Sequence, residues 1–237
     1  QPNNSDDTIF NADIVYTFQQ VKTSFLLPEQ GQFIPNFEIL DINLSSDFIR
    51  NEESDLFFTS KSRLQELRIP RPKHAHKGTF GHVGIAAGSK GKMGATQLTT
   101  AAALRSGVGL CTVLVPSCGH DILQISTPEA MTISNGEGYI TDFSALLNYK
   151  TVGIGPGIGT DSTTQKALLN FLTEYKGNLV LDADGLNIVS LNPEILENLP
   201  KNTILTPHPK ELDRIIGKSN NDYERLETVR DLCKKHE

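Results

Sequence analysis

Apolar positions along the chain come in two textures. Between residues 9 and 48 they arrive in short bursts, ADIVYTF, TSFLLPEQGQF and FEILDINL, which read as short strands and turns. Residues 49 to 72 mix charge with RIPRP, where prolines disfavour regular structure, and read as a linker. From residue 80 the runs lengthen. HVGIAAGS (82–89), LCTVLVPS (110–117), TVGIGPG (151–157), NLVLDADGLN (178–187) and NTILTPHP (202–209) are apolar stretches that end in glycine, proline or polar residues, the pattern of buried strands running into loops. Between them, GATQLTTAAALRSGVG (94–109) predicts a helix of small residues that stops at Gly107. DSTTQKALLNFLTEYKG (161–177) predicts a helix capped by Asp161 or Ser162, with Leu168, Phe171, Leu172 and Tyr175 on one face and Gly177 at its end. KELDRIIG and DYERLETVRDLCKKH predict two further helices. Apolar strands alternating with helices imply an α/β fold with a mainly parallel sheet covered on both faces. Ligands of such sheets bind beyond the carboxyl ends of the strands, so the loops that follow the strands are where chemistry is to be sought.

Composition narrows the classes. The 237 residues suffice for one large domain, or for one domain and a piece of another. Twenty-two basic against 28 acidic residues leave a net charge of −6, which speaks against a nucleic-acid or acidic-membrane surface. Three cysteines, an odd number without a CxxC, indicate neither a disulfide framework nor a zinc site and suit a reducing cytoplasm. No apolar stretch approaches a membrane span and no signal peptide is visible. The chain begins at Gln1 and stops at LCKKHE inside a helical pattern, so truncation at both ends is expected.

Four loops carry candidate chemistry. GSKGKMGAT (88–96) combines Gly88, Gly91 and Gly94 with Lys90 and Lys92 ahead of a helix whose N-terminus would face an anion; a flexible strand–helix loop fits these residues equally. GIGPGIGTD (153–161) sets Pro156 between Gly155 and Gly157, either a ligand loop or a tight turn before a capped helix. LDADGLN (181–187) places Asp182 and Asp184 two apart. In extended backbone both would face one side and repel, relieved by a divalent metal with phosphate, or one would cap a turn while the other is solvated. LTPHPKEL (205–212) holds His208 between Pro207 and Pro209, either a stiff loop with an incidental histidine or an imidazole held beside an anion site. Glu211 falls in the first turn of the helix that Pro209 opens.

Together with HKGTFGHV (76–83), AALRSGVGL (102–110) and PEAM (128–131), in this order and spacing, these loops resemble the dehydratase half of the bifunctional NAD(P)H-hydrate repair enzymes. Residues 12–33 and 37–44 resemble the last strands of the epimerase half. The resemblance implies three segments: residues 1–52 as the end of a Rossmann-like NAD(P)H-hydrate epimerase domain, 53–72 as a linker, and 73–237 as the first part of a ribokinase-like three-layer αβα dehydratase domain. It implies hydrated NADH or NADPH as substrate and ADP or ATP with Mg²⁺ as phosphoryl donor. It also implies K⁺ for the epimerase, a homo-oligomer, and a cytoplasmic location without nucleic-acid or membrane partners. Site roles carry over residue by residue. Ala95, Gly157 and His208 match the contacts to the hydrated nucleotide, while Lys77, Gly94, Asp184 and Glu211 stand as supporting residues. No protein metal ligand is assigned. The family's GxGD segment, with its general base, is expected beyond Glu237, so the 237 residues alone are expected to be inactive. A ribokinase-like vitamin-precursor kinase and a non-catalytic nucleotide-binding module are the alternatives; the first leaves residues 12–44 unexplained.

Overall fold

The computed structural model describes residues 10–236; residues 1–9 and Glu237, at the outer ends of the first and last expected segments, lie outside the described residues. The chain forms two compact units, Gln1–Pro72 with Ser219–Arg230, and Lys73–Lys218 with Asp231–Glu237.

In the first unit β1 (Val15–Phe18), α1 (Thr23–Leu26), α2 (Pro28–Gly31) and β2 (Phe37–Leu40) precede α3 (Ser46–Asn51) and α4 (Lys61–Glu66). The strands pair in parallel, Val15 with Phe37 and Phe18 with Leu40. Parallel strands need a crossover and cannot close as a hairpin. The middle burst therefore forms two helical turns, the second opened by Pro28 at its first position, where the missing N–H costs nothing. Residues 49–72 hold more regular structure than their prolines announce, because Ser45 and Ser60 cap α3 and α4 by accepting from the amides of Phe48 and Arg63, each at 3.2 Å. Residues 219–230 close this unit: the Asp222 amide donates to Glu29 Oε1 at 3.2 Å, and Arg230 pairs with Asp55 and Glu227. Among its described residues only Thr17 is buried, and Tyr16, Phe18, Phe48 and Phe57 are exposed.

The second unit is built on six parallel strands: β3 (His82–Ala86), β4 (Leu110–Val115), β5 (Met131–Ser134), β6 (Thr151–Ile154), β7 (Asn178–Leu181) and β8 (Ile204–Leu205). Their spatial order is β5-β4-β3-β6-β7-β8. The helices are α5 (Met93–Arg105), α6 (His120–Ser126), α7 (Ser162–Glu174), α8 (Ala183–Leu191), α9 (Pro209–Ile216) and α10 (Asp222–His236), the last shared between the units. Alternation along the strands sorts the core into two layers. Ile85, Cys111, Val113 and Val115 pack with Met93 of α5 and Leu123 of α6. Ala86, Leu114, Val152, Ile154, Leu179 and Leu181 pack with Leu168, Phe171, Leu172 and Tyr175 on the opposite side. The cover is incomplete where Gly153 and Val180 are only partly buried and Ile204 is 56% exposed. No helix among the described residues is long and apolar enough to cross a membrane.

Two local expectations change. Asp161 caps α7 through Oδ1, which accepts from the Thr163 amide at 2.8 Å, but the helix ends at Glu174, short of Gly177. Tyr175 turns extended there, and its hydroxyl donates to the carbonyls of Tyr149 (2.9 Å) and Asn178 (3.1 Å), so this buried anchor stops the helix. The edge strand β5, four residues between turns, is too short for its periodicity to announce it.

Candidate functional site

From β3 the chain winds outward to β4 and β5; from β6 it winds the other way to β7 and β8. The loops after β3 and β6 thus part at the switch point of the sheet, the place where α/β sheets open a crevice. Here they are laced together. The Gly88 amide donates to the Pro156 carbonyl at 2.8 Å, Ser89 Oγ to the Gly157 carbonyl at 2.7 Å, and the Gly155 amide to the Ala86 carbonyl at 3.2 Å. Glycine is required at Gly155: φ is +136°, and a Cβ would lie 1.8 Å from the Asp182 carbonyl oxygen. At Gly157, φ is +70° and a Cβ would stand 3.2 Å from Ala95 Cβ and 3.1 Å from the Lys92 carbonyl oxygen. Ala95 and Gly157, 62 positions apart in the chain, therefore lie so close that a methyl group on Gly157 would crowd Ala95. Beside them Gly94 faces open space, with nothing within 4 Å of an added Cβ. The N-terminus of α5 has no side-chain cap and no acidic residue in its first turn; the Ala95 amide donates to the Lys92 carbonyl at 3.2 Å, while the Met93 and Gly94 amides and the positive dipole end remain available to an anion.

Asp184 ties this seam to the next strand. Its Oδ2 accepts from Lys92 Nζ at 3.1 Å and from the Gly159 amide at 2.9 Å, and its Oδ1 from Asn187 Nδ2 at 3.3 Å. Asn187 Oδ1 in turn accepts from Arg214 Nη1 at 2.6 Å. The expected alternation of Asp182 and Asp184 on one face does not occur. Ala183 takes φ +47° and α8 begins there, so Asp182 is an extended N-cap residue while Asp184 lies in the first helical turn. The Lys92 ammonium offsets the charge of Asp184, and the Gly159 amide donates to the same oxygen. Asp182 stays half-buried and makes no side-chain hydrogen bond to the described residues. No cluster of three or more His, Cys, Asp or Glu suited to a metal occurs among the described residues.

His208 and Glu211 form a separate group at the end of β8. His208 is the N-cap of α9: Nδ1 accepts from the amides of Lys210 (3.1 Å) and Glu211 (3.4 Å), while Glu211 Oε2 accepts from the His208 amide at 3.0 Å. With Nδ1 accepting, the ring proton sits on Nε2, 3.2 Å from Glu211 Oε1. Glu211 is buried and the imidazole half-exposed. The ring folds back on its own helix as a capping residue. Strands lie about 4.8 Å apart, so β8 is roughly 10 Å from β6, and only a long ligand could meet both groups. Lys77 is set apart from all of these. It lies ahead of β3 with its carbonyl against Gly109, just before β4, which puts its backbone at the amino edge of the sheet. Sequence reasoning passed over Ser89, Asn187 and Arg214. Only Asn187 left a local signal, lying three residues after Asp184 on a helix.

A family model described as NAD(P)H-hydrate dehydratase matches residues 83–237. The bifunctional NAD(P)H-hydrate repair enzyme Nnr of Coxiella burnetii is 32% identical over 233 residues, covering 97% of this chain and 46% of its own length. The ADP-dependent (S)-NAD(P)H-hydrate dehydratase of Lactococcus lactis is 36% identical over 164 residues, 65% of this chain and 55% of its own. The chain thus spans about half the length of these curated relatives. Among solved structures, a ribokinase-like superfamily protein from Enterococcus faecalis superposes with a TM-score of 0.64 at 26% identity, over 78% of this chain and 66% of that one. The ADP/ATP-dependent NAD(P)H-hydrate dehydratase of Bacillus subtilis, co-crystallized with ATP/Mg²⁺, gives 0.56 at 24% identity over 75% and 61%, and shares the fold. The parallel-sheet α/β architecture expected from the sequence is the one these proteins have.

Proposed function

Because the chain belongs to the NAD(P)H-hydrate dehydratase family, we propose that its second unit binds hydrated NADH or NADPH for nucleotide-driven dehydration to the normal cofactor. The observation that carries this reading is the closeness of Ala95 to Gly157 at the switch point, beside the uncapped start of α5. In this reading the hydrated ring lies on that small-residue seam, where Gly94, Ala95 and Gly157 let backbone come close. A phosphoryl group moves from ADP or ATP to the ring hydroxyl, releasing AMP or ADP and the hydroxyl proton; phosphate then leaves with that oxygen while the neighbouring ring carbon gives up a proton and the ring double bond forms. The chain's contribution is to position and to shield. The α5 amides face the phosphates, Lys92 and Asp184 hold the β3 and β6 loops together, and His208 guides the far side of the ligand from β8. Mg²⁺ would neutralise phosphate charge. It needs only one or two carboxylates besides phosphate oxygens, and Asp182, half-buried without a side-chain partner among the described residues, fits that role. Neither Ala95 nor Gly157 can act as general base, and both ring nitrogens of His208 are engaged, so we give that role to none of the three.

We further propose that residues 1–52 are the trailing part of an epimerase domain, with 53–72 as linker. Two observations support this: bifunctional relatives match 97% and 96% of the chain, and among its described residues the first unit buries only Thr17. K⁺ belongs to that epimerase activity, and we place the reaction in the cytoplasm, in a homo-oligomer that light scattering would reveal. The test of the main reading is twofold. Hydrated NADPH should bind this chain in calorimetry, and a longer protein carrying it should restore the near-ultraviolet absorbance of the dihydronicotinamide only when ADP or ATP is present. Recovery without nucleotide, or no binding of the hydrate, rules the reading out.

A further inference from the structure

A second concavity lies on the other side of the Gly88–Lys92 loop, over the carboxyl ends of β3, β4 and β5. It is a cavity of about 590 Å³ lined by Lys90, Cys118, Glu137, Gly138, Tyr139 and Thr141. That volume is in the range of pockets that enclose a small molecule of nucleotide size. Its rim is built. Three successive carbonyls of the 136–138 segment accept amides from the neighbouring loops: Gly136 from Ser117 (2.9 Å), Glu137 from Cys118 (3.1 Å) and Gly138 from Lys90 (2.7 Å). The segment is bent by Gly136 at φ +65°, where a Cβ would meet the Tyr139 carbonyl oxygen at 2.2 Å. Lys90 is exposed and makes no side-chain ion pair or hydrogen bond to the described residues. The next residue back, Ser89, holds Gly157. The cavity and the Ala95–Gly157 seam therefore share one wall.

We infer that this cavity takes the non-reacting, adenylate half of the dinucleotide, with the Lys90 ammonium on its phosphate and the Tyr139 ring against its base. The inference rests on the proposed binding of the hydrated ring at the seam. A dinucleotide anchored there must send the rest of its length across a neighbouring surface. Here the adjoining surface offers a free cation for phosphate and an aromatic ring for stacking.

Cys118 lines the cavity and is exposed, Cys233 is exposed elsewhere, and Cys111 is buried, so the protein carries its own reporter, reference and folding control. Alkylation of each cysteine by iodoacetamide is followed by peptide mass spectrometry, alongside calorimetry. At ten times its dissociation constant, hydrated NADPH should slow modification of Cys118 about tenfold and leave Cys233 unchanged. Adenosine 2′,5′-bisphosphate should protect in the same way. Hydrated reduced nicotinamide mononucleotide should bind without protecting. Lys90→Met should weaken the bisphosphate about tenfold and leave the mononucleotide unaffected, with Cys111 still unreactive as a sign of intact folding. Calorimetric binding of the dinucleotide without protection of Cys118, protection by the mononucleotide, or protection by ATP alone overturns the assignment while the proposed function stands. Absence of any dinucleotide binding removes both.

Discussion

Gly94 and Gly155 belong to the same laced pair of loops yet should respond to alanine in opposite ways. At Gly155 the added methyl would collide with the Asp182 backbone at 1.8 Å in a left-handed conformation, so Gly155→Ala should cost more than about 4 kcal/mol in urea denaturation or prevent folding. At Gly94 the methyl meets nothing, and the residue sits in the first turn of α5, so Gly94→Ala should leave the protein as stable or gain up to about 1 kcal/mol. If the hydrated ring lies there, the same variant should lose about tenfold in affinity for the hydrate, and unchanged affinity would move the ring elsewhere. His208 can be divided in the same manner. His208→Ala removes a cap and should cost about 1 kcal/mol, whereas His208→Asn restores a capping oxygen. Recovery of stability without recovery of hydrate affinity would show that the ring does more than cap.

At the scale of elements, strands β3, β4, β6 and β7 and helices α5 and α7 were legible because apolar runs and a helical stripe record burial directly, whereas β8, expected as a buried strand, is two residues long with Ile204 exposed. What was not legible depended on distant partners. Lys92 reaches Asp184 across 92 positions, and the Gly159 amide reaches it across 25; no local spacing encodes either bond. The Asp182–Asp184 pair misled because period-two alternation holds only while the backbone stays extended, and it leaves that state at Ala183. The seam residues entered through a resemblance of motifs, and the closeness of Ala95 to Gly157 became visible only once two loops were folded together. The Arg214–Asn187–Asp184 chain links α9 and α8 to both loops. Asn187→Leu cuts it, and hydrogen exchange at the Gly159 amide should then speed up about tenfold while amides in β4 keep their protection. Unchanged exchange would mean that Lys92 alone holds Asp184.

For the whole molecule, the buried acids of the second unit make an alkaline limit. Burial pushes the Cys111 thiol up to about 11 from 9.0 and the Tyr175 phenol up to about 12 from 10.0. Both are raised, so the folded state favours their protonated forms. That stability is whole below the unfolded values and is lost as pH climbs through the folded ones, first between 9.0 and about 11, then between 10.0 and about 12. Cys111→Ala should therefore cost about 1 kcal/mol near neutrality through a small cavity, and its urea midpoint should fall less steeply than that of the parent up to about pH 11. An identical pH dependence in both proteins would discount the thiol.

The first unit is made of residues 1–72 and 219–230, with the second largely between them. On a ribosome, where chains emerge from the amino end, this reverses the usual order of folding. Strands β3 to β8 can assemble while the earlier-made segment still waits for Asp222 and Arg230 to leave the exit tunnel. During that interval Tyr16, Phe18 and Phe57 belong to a nascent segment without its closing helix, the stretch a chaperone would find first.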